Sequence, residues 1–447
     1  MQRELGTLLS NRVYRTLFTI VFLVFPFGTS LAQIPTFSTL YHFRSQNDGK
    51  EPLMGKLLAD EQNNLYGTTY HGGTYGYGTV FELSPPITGH VWAETILYNF
   101  SGGLDGRYPS SSLIADPAGN LYGTTYYGGS SESKYASGTV FKLSPPTSPG
   151  SAWVESIIYR FKKLPDGSNP GSGLVLDPAG NLYGETNFGG SCSADGIIFE
   201  LSPPPAGAGL WAETVLHNFQ HDCGGVDGHW PYGGLTLGAG GVLFGTTIYG
   251  GVFQLQPPSS GQTQWTHEVI HDFAGGQDGG NPYGGVTLDD SGNLYGTAAT
   301  GGGSGTECLG VSCGVVFELT PPANTGGDWI ETILYAFTGG NDGATPESPL
   351  LLDKQGNLYG TALNGGLGTC KSPYALGCGS AFELIPPNIS GGTWTEITLH
   401  TFTGAQTDQG LPYSGLTFGK GGKLYGASAG RVGAEPEQNG TIFQIIP

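Results

Sequence analysis

A seven-residue phrase of the type GNLYGTT recurs along this chain at an even spacing of roughly 60 residues. The seven copies begin at Asn63, Gly119, Gly180, Gly241, Gly292, Gly356 and Gly422. A repeat of this length that carries several short β signals indicates units that bury their apolar faces only against one another. The chain is therefore expected to be an array of similar β units.

Each unit contains four strand-like runs, which we name a to d. In the second unit they are residues 112–115, 121–125, 138–143 and 153–161. The turn cluster DPAGN separates strands a and b, because proline presets φ while glycine and asparagine tolerate positive φ. A Pro-Pro pair ends strand c, since proline cannot donate to a ladder.

The two ends of the chain are complementary. Residues 37–43 (FSTLYHF) have the pattern of strand d, and residues 440–446 (GTIFQII) have that of strand c. Pairing these segments completes the last unit and closes a ring, which hides the exposed strand edges. The sequence thus predicts an all-β fold, a seven-bladed β-propeller of four-stranded blades, formed by a single domain over residues 33–447.

Composition agrees with this fold. By themselves, 79 glycines and 30 prolines would suggest disorder, but 12% aromatic residues, placed periodically in the strands, supply apolar area. The glycines are accounted for by the turns.

The first 32 residues have the pattern of a processing segment. Arg3, Arg12 and Arg15 form a basic region, residues 17–27 are apolar, and residues 30–32 offer a cleavage site. This apolar run is short for a membrane span, which needs about 20 residues. We predict a signal peptide over residues 1–32 and a secreted protein, extracellular or periplasmic; an uncleaved N-terminal anchor is the alternative. The chain ends on a strand c, so no C-terminal anchor is expected, and no membrane contact after signal removal.

Six cysteines in an exported chain predict disulfides. In a propeller, the b–c loops and the d–a connections lie on one face, which we call the loop face, and all six cysteines map to it. The simplest pairing joins Cys308 to Cys313, Cys370 to Cys378 and Cys192 to Cys223. A metal site is the alternative, although no CxxC or Cys/His ligand spacing occurs.

The chain is acidic, with 36 Asp and Glu against 17 Lys and Arg and a net charge of −19. Such a surface repels nucleic acid and anionic lipid, so neither is an expected partner. Neutral glycans, cations and basic proteins remain as ligand classes. The protein itself is expected to be a monomer.

The run LxLDxxGNLYGTT, a GG-containing loop, GTVFELxPP, WxETxLYxF and DGxxP together resemble the GloVer tandem repeat of exported bacterial proteins, which are described as having a choice of C-terminal anchors. The resemblance covers essentially the whole chain after the leader. It implies an exported bacterial repeat protein and transfers no catalytic residue. Strands a and b also resemble those of NHL-type propellers, which is a fold-level analogy.

Residues that recur in every unit favour a role in building the blade over a role in catalysis. An aspartate lies four residues before a proline in every d–a connection, at Asp48, Asp105, Asp166, Asp227, Asp278, Asp342 and Asp408. We interpret these residues as Asx turns. A carboxylate ring that holds Ca²⁺ near the axis is the alternative, and no other cofactor is predicted.

Strand d also carries recurrent charges. Two residues after its tryptophan stand Glu94, Glu155, Glu213, Glu331 and Glu396, with His267 once in this place. Because strand d is the outer edge, we expect these charges to discourage edge-to-edge pairing. His217, His271 and His400 replace the tyrosine of LYxF and are expected to pack as it does.

Ligand-binding residues are expected where the units differ. The d–a connection after unit three carries His221, Asp222, His229, Trp230 and Tyr232, and the b–c loop of unit six adds Lys371 and Tyr374. Unit four passes almost directly from strand b to strand c, so a tall rim with one low side would form a groove on the loop face. An exposed Trp and Tyr there would suit a sugar ring or a protein hot spot.

Catalytic signatures are sparse, since no GxSxG, HExxH, Walker or GxGxxG motif occurs. We therefore predict a binding or interaction scaffold for a glycan or protein ligand. A carbohydrate-active or small-molecule lyase or hydrolase on the same face is the first alternative. A structural envelope protein is the second.

Overall fold

The repeats fold into seven antiparallel sheets with strand a innermost and strand d outermost. The computed structural model describes residues 34–447 apart from 45–46, 54, 131–136, 149, 163–164, 192–194, 206–209, 221–223, 304–307, 309–311, 325, 367, 369, 371–376, 390 and 431–437. Within it, Pro35–Pro447 form one compact unit. The predicted signal peptide and its cleavage site at residues 32–33 lie outside the described residues.

The blades are numbered in chain order, and blade seven combines the two ends of the chain. Blade one contains β2 (Leu58–Ala59), β3 (Leu65–Thr69), β4 (Thr79–Ser84) and β5 (Ala93–Asn99). Blade two contains β6 (Arg107–Pro109), β7 (Ile114–Ala115), β8 (Leu121–Tyr127), β9 (Thr139–Ser144) and β10 (Val154–Arg160). Blade three contains β11 (Val175–Leu176), β12 (Leu182–Thr186), β13 (Ile197–Ser202) and β14 (Ala212–Asn218).

The remaining blades follow the same order. Blade four contains β15 (His229–Pro231), β16 (Thr236–Leu237), β17 (Leu243–Tyr249), β18 (Gly251–Gln256) and β19 (Thr266–Asp272). Blade five contains β20 (Val286–Leu288), β21 (Leu294–Ala298), β22 (Val315–Thr320) and β23 (Ile330–Ala336). Blade six contains β24 (Leu351–Leu352), β25 (Leu358–Ala362), β26 (Ser380–Ile385) and β27 (Thr395–Thr401). Blade seven contains β28 (Thr417–Phe418), β29 (Leu424–Ser428), β30 (Thr441–Ile446) and β1 (Thr36–His42).

Ring closure occurs as predicted. β1 pairs antiparallel with β30, from Thr36 opposite Ile446 to His42 opposite Thr441. The strand begins and ends one residue earlier than the predicted segment 37–43. The prediction of a seven-bladed propeller closed by its N-terminal strand is confirmed.

The inner strands are shorter than predicted. In blade two, only Ile114 and Ala115 of the predicted segment 112–115 form a strand. Ser111, which precedes that segment, makes side-chain hydrogen bonds instead of ladder bonds. Its hydroxyl accepts a hydrogen bond from the Thr124 N–H at 3.0 Å. The Thr68 hydroxyl of blade one donates to the Ser111 carbonyl at 3.3 Å. Hydrogen bonds to side chains and to the neighbouring blade thus replace ladder bonds along the channel wall.

The hydrophobic core lies between the blades. Seven apolar clusters occur, one at each interface of the ring. The cluster between blades two and three includes Phe161, Leu182 and Phe199. The cluster that closes the ring packs Phe43 and Tyr425 of blade seven against Phe81 of blade one. Each blade is therefore stabilised by both neighbours, as the repeat length predicts.

The glycine of the LYGTT phrase has a packing reason. It faces the phenylalanine of strand c in its own blade, and a Cβ built on this glycine would lie 2.4 to 2.7 Å from the phenylalanine Cζ in all seven blades. The pairs are Gly67 with Phe81, Gly123 with Phe141, Gly184 with Phe199, Gly245 with Phe253, Gly296 with Phe317, Gly360 with Phe382 and Gly426 with Phe443. Any side chain at this position would displace a fully buried ring.

The strand d glutamates do not point outward from an open strand edge. The prediction that they discourage edge-to-edge pairing is therefore corrected. One carboxylate oxygen of each of Glu94, Glu155 and Glu213 is buried. Each glutamate lies beside the tyrosine and aspartate at the end of the preceding blade, as Glu94 does beside Tyr41 and Asp48. The side chains therefore point along the ring and join neighbouring blades.

These half-buried carboxyl groups give the stability of the protein a pH dependence. Burial first, and the neighbouring aspartate second, raise the pKa of Glu94, Glu155 and Glu213 from 4.5 to about 7. The folded state then binds more protons than the unfolded chain between these pH values, so stability falls as pH rises through this window. His267 acts in the opposite direction, because burial lowers its pKa to about 4.

We expect the three glutamates to outweigh His267 and His42, whose pKa burial also lowers, so that the melting temperature is higher at pH 5 than at pH 8. A scan of thermal unfolding against pH measures the difference. The triple variant Glu94→Gln, Glu155→Gln, Glu213→Gln should show a smaller difference. An unchanged slope in that variant would refute this origin of the effect.

Helices contribute little to the described residues, where two 3₁₀ turns occur at Ala239–Gly241 and Lys420–Gly422. No helix among those residues has the length and apolar character needed to cross a membrane.

Candidate functional site

The loop face carries two of the three predicted disulfides. Cys308 is bonded to Cys313, and Cys370 is bonded to Cys378. The predicted partners Cys192 and Cys223 lie outside the described residues. Because disulfides persist in oxidising compartments, the two observed bonds indicate an extracytoplasmic environment.

One strained backbone position recurs on the loop face, immediately before the proline that follows each d–a connection. Its seven occupants all have φ between 55° and 61°, and they are Glu51, Tyr108, Asn169, Trp230, Asn281, Thr345 and Leu411. In six of them the backbone N–H donates to a carbonyl of the preceding blade, as from Trp230 to Asp195 at 3.1 Å. Glycine would adopt this φ without strain. The ring instead presents side chains of different chemistry on one face, as functional surfaces often do.

Blade four provides the low side of the rim. β17 ends at Tyr249 and β18 begins at Gly251, so the single residue Gly250 joins strands b and c. A groove of about 610 Å³ opens beside this hairpin. Parts of residues 225–229, 248–250, 269–275 and 280–281, together with Thr300, line it, and we call it the blade-four groove.

Tyr249 presents an exposed aromatic ring to the blade-four groove. Half of its surface is exposed (50%). Its ring stacks on His229 with centroids 4.8 Å apart and lies edge-on to Trp230 at 5.4 Å. The equivalent residues of blades one to three, His71, Tyr127 and Phe188, are only partly exposed. Tyr249 is therefore exposed because blade four lacks the loop that would cover it.

Polar groups also line the blade-four groove, namely Asp272, Asn281 and Thr300. The Thr300 hydroxyl donates to the Asn281 side-chain oxygen at 3.2 Å, and the Asn281 amide donates to the Ile248 carbonyl at 3.4 Å. An aromatic floor with hydrogen-bonding edges can hold a ligand that has one apolar face and several hydroxyl groups.

The structure separates the predicted ligand-binding residues. His229 lines the blade-four groove, whereas Trp230 supports the groove from behind by contacting Phe188, His229 and Tyr249. Tyr232 lies at the mouth of the central channel, edge-on to Tyr283 at 5.9 Å. The other four, His221, Asp222, Lys371 and Tyr374, lie outside the described residues.

The channel mouth is a second polar region. Burial first, and Glu347 second, raise the pKa of the Tyr232 hydroxyl. Burial raises the pKa of Glu347 itself to about 7. Tyr413 also lies beside Glu347. Tyr232, Tyr283 and Tyr413 thus converge with the Glu347 carboxyl group at the loop-face end of the axis.

The repeated aspartates accept hydrogen bonds from backbone N–H groups that precede them in the chain, as Asp48 does from Arg44. The prediction of Asx turns is therefore corrected, because the carboxylate of an Asx turn accepts from an N–H two residues later. Asp105 accepts hydrogen bonds from the Ser101 and Gly103 N–H groups at 2.7 and 3.2 Å and from the Tyr98 hydroxyl at 3.1 Å. Tyr98 belongs to the outermost strand, so this carboxylate lies far from the position that an axial Ca²⁺ would require.

Two clusters of histidine and carboxylate side chains occur between blades. They are His217 with Asp227 and His267, and His271 with Asp278 and Glu331. The His217 and His267 rings stack with centroids 4.0 Å apart and an interplanar angle of 6°. Imidazole lone pairs lie in the ring plane, so two parallel stacked rings cannot direct both at one ion. His217 instead shares a hydrogen bond of 2.9 Å with Asp227, in keeping with the packing role expected for it.

Several polar residues were not selected from the sequence, although a comparison of the units reveals them. Glu185 stands where other blades have Thr68, Thr124, Thr246, Thr297 or Thr361. It is buried, accepts a hydrogen bond from the Gly234 N–H at 2.8 Å, and burial raises its pKa to about 7. Lys56 and Glu347 are likewise charged residues at positions where the other units have small, apolar or aromatic residues.

Comparison with known proteins places this architecture among repeat-built propellers. A family profile described as the Gloeobacter/Verrucomicrobia repeat matches residues 30–253, 130–370 and 248–447. A search of proteins with curated functions gives no significant match.

Solved structures show the fold alone. The polysaccharide lyase Uly1 is 14% identical, with coverage of 91% of this chain and 92% of that chain and a TM-score of 0.50. The β-propeller domain of Cps50 (Swd1) from Myceliophteria thermophila is 11% identical, with coverage of 92% of this chain and 100% of that chain and a TM-score of 0.50.

Proposed function

Because this chain belongs to the Gloeobacter/Verrucomicrobia repeat family and folds as a seven-bladed β-propeller, we propose that it is an extracytoplasmic glycan-binding protein. Its ligand is a neutral oligosaccharide, and its binding site is the blade-four groove. The exposed Tyr249 ring is the observation that carries this proposal.

The Tyr249 ring suits a sugar because it is exposed and because neighbouring rings hold it in place. A pyranose ring has a face of C–H groups that packs on an aromatic ring, while its hydroxyl groups point outward. His229 and Trp230 hold the Tyr249 ring in place. A ring held in this way loses little side-chain freedom on binding, which favours affinity.

The edges of the groove supply the polar contacts. Asp272 can accept hydrogen bonds from sugar hydroxyls, while Asn281 and Thr300 can donate and accept them. Five glycines, Gly225, Gly228, Gly250, Gly275 and Gly280, line the same groove and allow close approach to the backbone. A volume of about 610 Å³ lies within the range of small-ligand sites.

Charge favours a neutral ligand. The chain carries a net charge of −19, and Asp272 lies in the groove itself. Uronic acid or sulfate groups would meet repulsion at this site. The observed disulfides and the predicted signal peptide support a location outside the cytoplasm, where such glycans are encountered.

A glycan array with the purified propeller, followed by calorimetry with the strongest neutral ligand, tests the proposal. Tyr249→Ala should weaken binding about 30-fold, equivalent to ~2 kcal/mol, because it removes the aromatic floor. Tyr75→Ala is the matched control, since Tyr75 is 59% exposed on the loop face of blade one. The control should bind as the parent does.

Two outcomes would refute the proposal. One is the absence of any neutral glycan ligand on the array. The other is equal affinity of the parent, Tyr249→Ala and Tyr75→Ala for the glycan that is found.

A further inference from the structure

Lys56 occupies an exceptional position in the central channel. The corresponding residues of blades two to seven are Ser112, Gly173, Gly234, Gly285, Pro349 and Gly415. The side chain of Lys56 crosses the inner wall of blade seven, where its Cγ and Cε would lie 3.0 Å from a Cβ built on Gly415. The glycine there leaves the space through which the lysine passes.

The ammonium group is incompletely bonded. Lys56 Nζ donates one hydrogen bond, to the Leu350 carbonyl of blade six at 3.3 Å. Its backbone N–H donates to the Ser112 hydroxyl at 2.9 Å, which fixes the start of the side chain. An ammonium group has three donors, so two of its N–H groups have no protein acceptor among the described residues.

No carboxylate among the described residues lies within ion-pairing distance of Nζ. The side chain keeps some surface exposed to the channel, yet protein atoms crowd the ammonium group. Burial lowers the pKa of Lys56 to about 8, so the group is mostly charged at neutral pH. A charge removed from water without an ionic partner is costly unless a ligand supplies one.

Two cavities meet at this lysine, on the face opposite the loop face. One, of about 460 Å³, extends from Lys56 across the axis to Gly173, Gly234 and Thr236. The other, of about 520 Å³, runs between blades five and six and includes Asp353 and Lys354. Asp289 and Asp290 border both cavities.

We propose that Lys56 is the anchor of a second ligand site, which binds a singly charged carboxylate on a neutral, hydroxyl-bearing body. The ammonium group offers its two remaining donors to the carboxylate oxygens, in the charge-assisted geometry that such pairs prefer. Asp289, Asp290 and Asp353 line these cavities against only Lys56 and Lys354, which disfavours a doubly charged phosphate. Their carboxylates accept hydrogen bonds from hydroxyl groups of the ligand. This site is independent of the blade-four groove and does not require the proposed function.

Glucuronate is the probe, with glucose as its neutral counterpart and lactate as a small hydroxy acid. The full mature chain is labelled with ¹³C at the ε-carbons of its unmodified lysines, and NMR follows the Lys56 Cε resonance, assigned by its loss in Lys56→Arg. Glucuronate should raise the pKa of Lys56, because a bound carboxylate stabilises the charged amine. Glucose should leave it unchanged.

Calorimetry supplies the second measurement. Lys56→Met keeps the apolar stem and should bind glucuronate at least about tenfold more weakly than the parent. Binding of glucuronate but not lactate assigns the site to sugar acids, and equal binding of both assigns it to hydroxy acids in general. If no carboxylate changes the Lys56 pKa, or if Lys56→Met binds glucuronate as the parent does, the proposal is wrong. The NMR measurement uses the parent sequence, so it decides the matter even if Lys56→Met fails to fold.

Discussion

A chain without β1 (Thr36–His42) is expected to lose at least about 5 kcal/mol of stability and to aggregate, since small domains have only about 5 to 15 kcal/mol in total. The deletion leaves β30 with an unpaired edge in blade seven. It also removes Phe37, which packs against Phe402 and Phe443 in the cluster between blades six and seven. Chemical denaturation and size-exclusion chromatography measure both effects.

Two controls distinguish ring closure from a general effect of truncation. A synthetic peptide of residues 35–43 should restore the stability of the truncated chain by occupying the vacant edge. A circular permutant that joins Pro447 to Pro35 through a short loop should fold, because Thr36 already lies opposite Ile446. A truncated chain that melts at the temperature of the parent would show that β1 does not close the ring.

The second large effect concerns the fit between strands b and c. Phe199→Ala should destabilise the protein by about 3 to 5 kcal/mol, because it leaves a cavity at the interface of blades two and three. Gly184→Ala should cost about 1 to 3 kcal/mol through overpacking, since the new Cβ would lie 2.5 Å from the Phe199 Cζ. Denaturant unfolding of each variant measures these losses.

A double variant tests whether the two residues act through one contact. In a Phe199→Leu background the obstructing Cζ atom is absent and only Leu174 Cδ2, 2.8 Å from the new Cβ, remains, so adding Gly184→Ala should cost less stability than it does in the parent. The coupling between the two substitutions should therefore be large and favourable. Strictly additive losses would mean that the contact of the new Cβ with Leu174 Cδ2 determines the cost instead.

The sequence predicts the architecture well because the same pattern of strand and turn residues occurs in all seven units. The complementary ends at residues 37–43 and 440–446 were enough to predict closure. The short inner strands were not predicted, because alternation of apolar residues does not reveal which backbone groups bond to side chains. The strand d glutamates were assigned to an open edge because the sequence does not show how closely the neighbouring blade approaches.

The sequence indicated a groove beside the short hairpin of blade four, and the structure has a groove there that His229 lines. The role of His229 in ligand binding stays a prediction. Tyr249 was missed because its position is half-covered in other blades, and its exposure depends on a loop that is absent. Tyr232 was predicted to share a ligand site with His229, but it lies on the loop face at the channel mouth, beside Tyr283. Lys56 could have been found by aligning the units, since no other unit has a charge at that position.

Filling the blade-four groove tests the proposed glycan site most directly. Residues 73–78 of blade one form the part of its b–c loop that blade four lacks, and they can be inserted after Gly250 to cover Tyr249. The matched control carries the same insertion after Gly89, where a built Cβ meets no atom within 4 Å. Surface insertions cost little stability, so both proteins should melt near the parent temperature.

Calorimetry with the neutral glycan identified on the array then compares the parent with the two insertion variants. We expect the insertion after Gly250 to abolish binding and the insertion after Gly89 to leave it unchanged. Equal affinity in all three proteins would contradict the assignment of the glycan site to the blade-four groove.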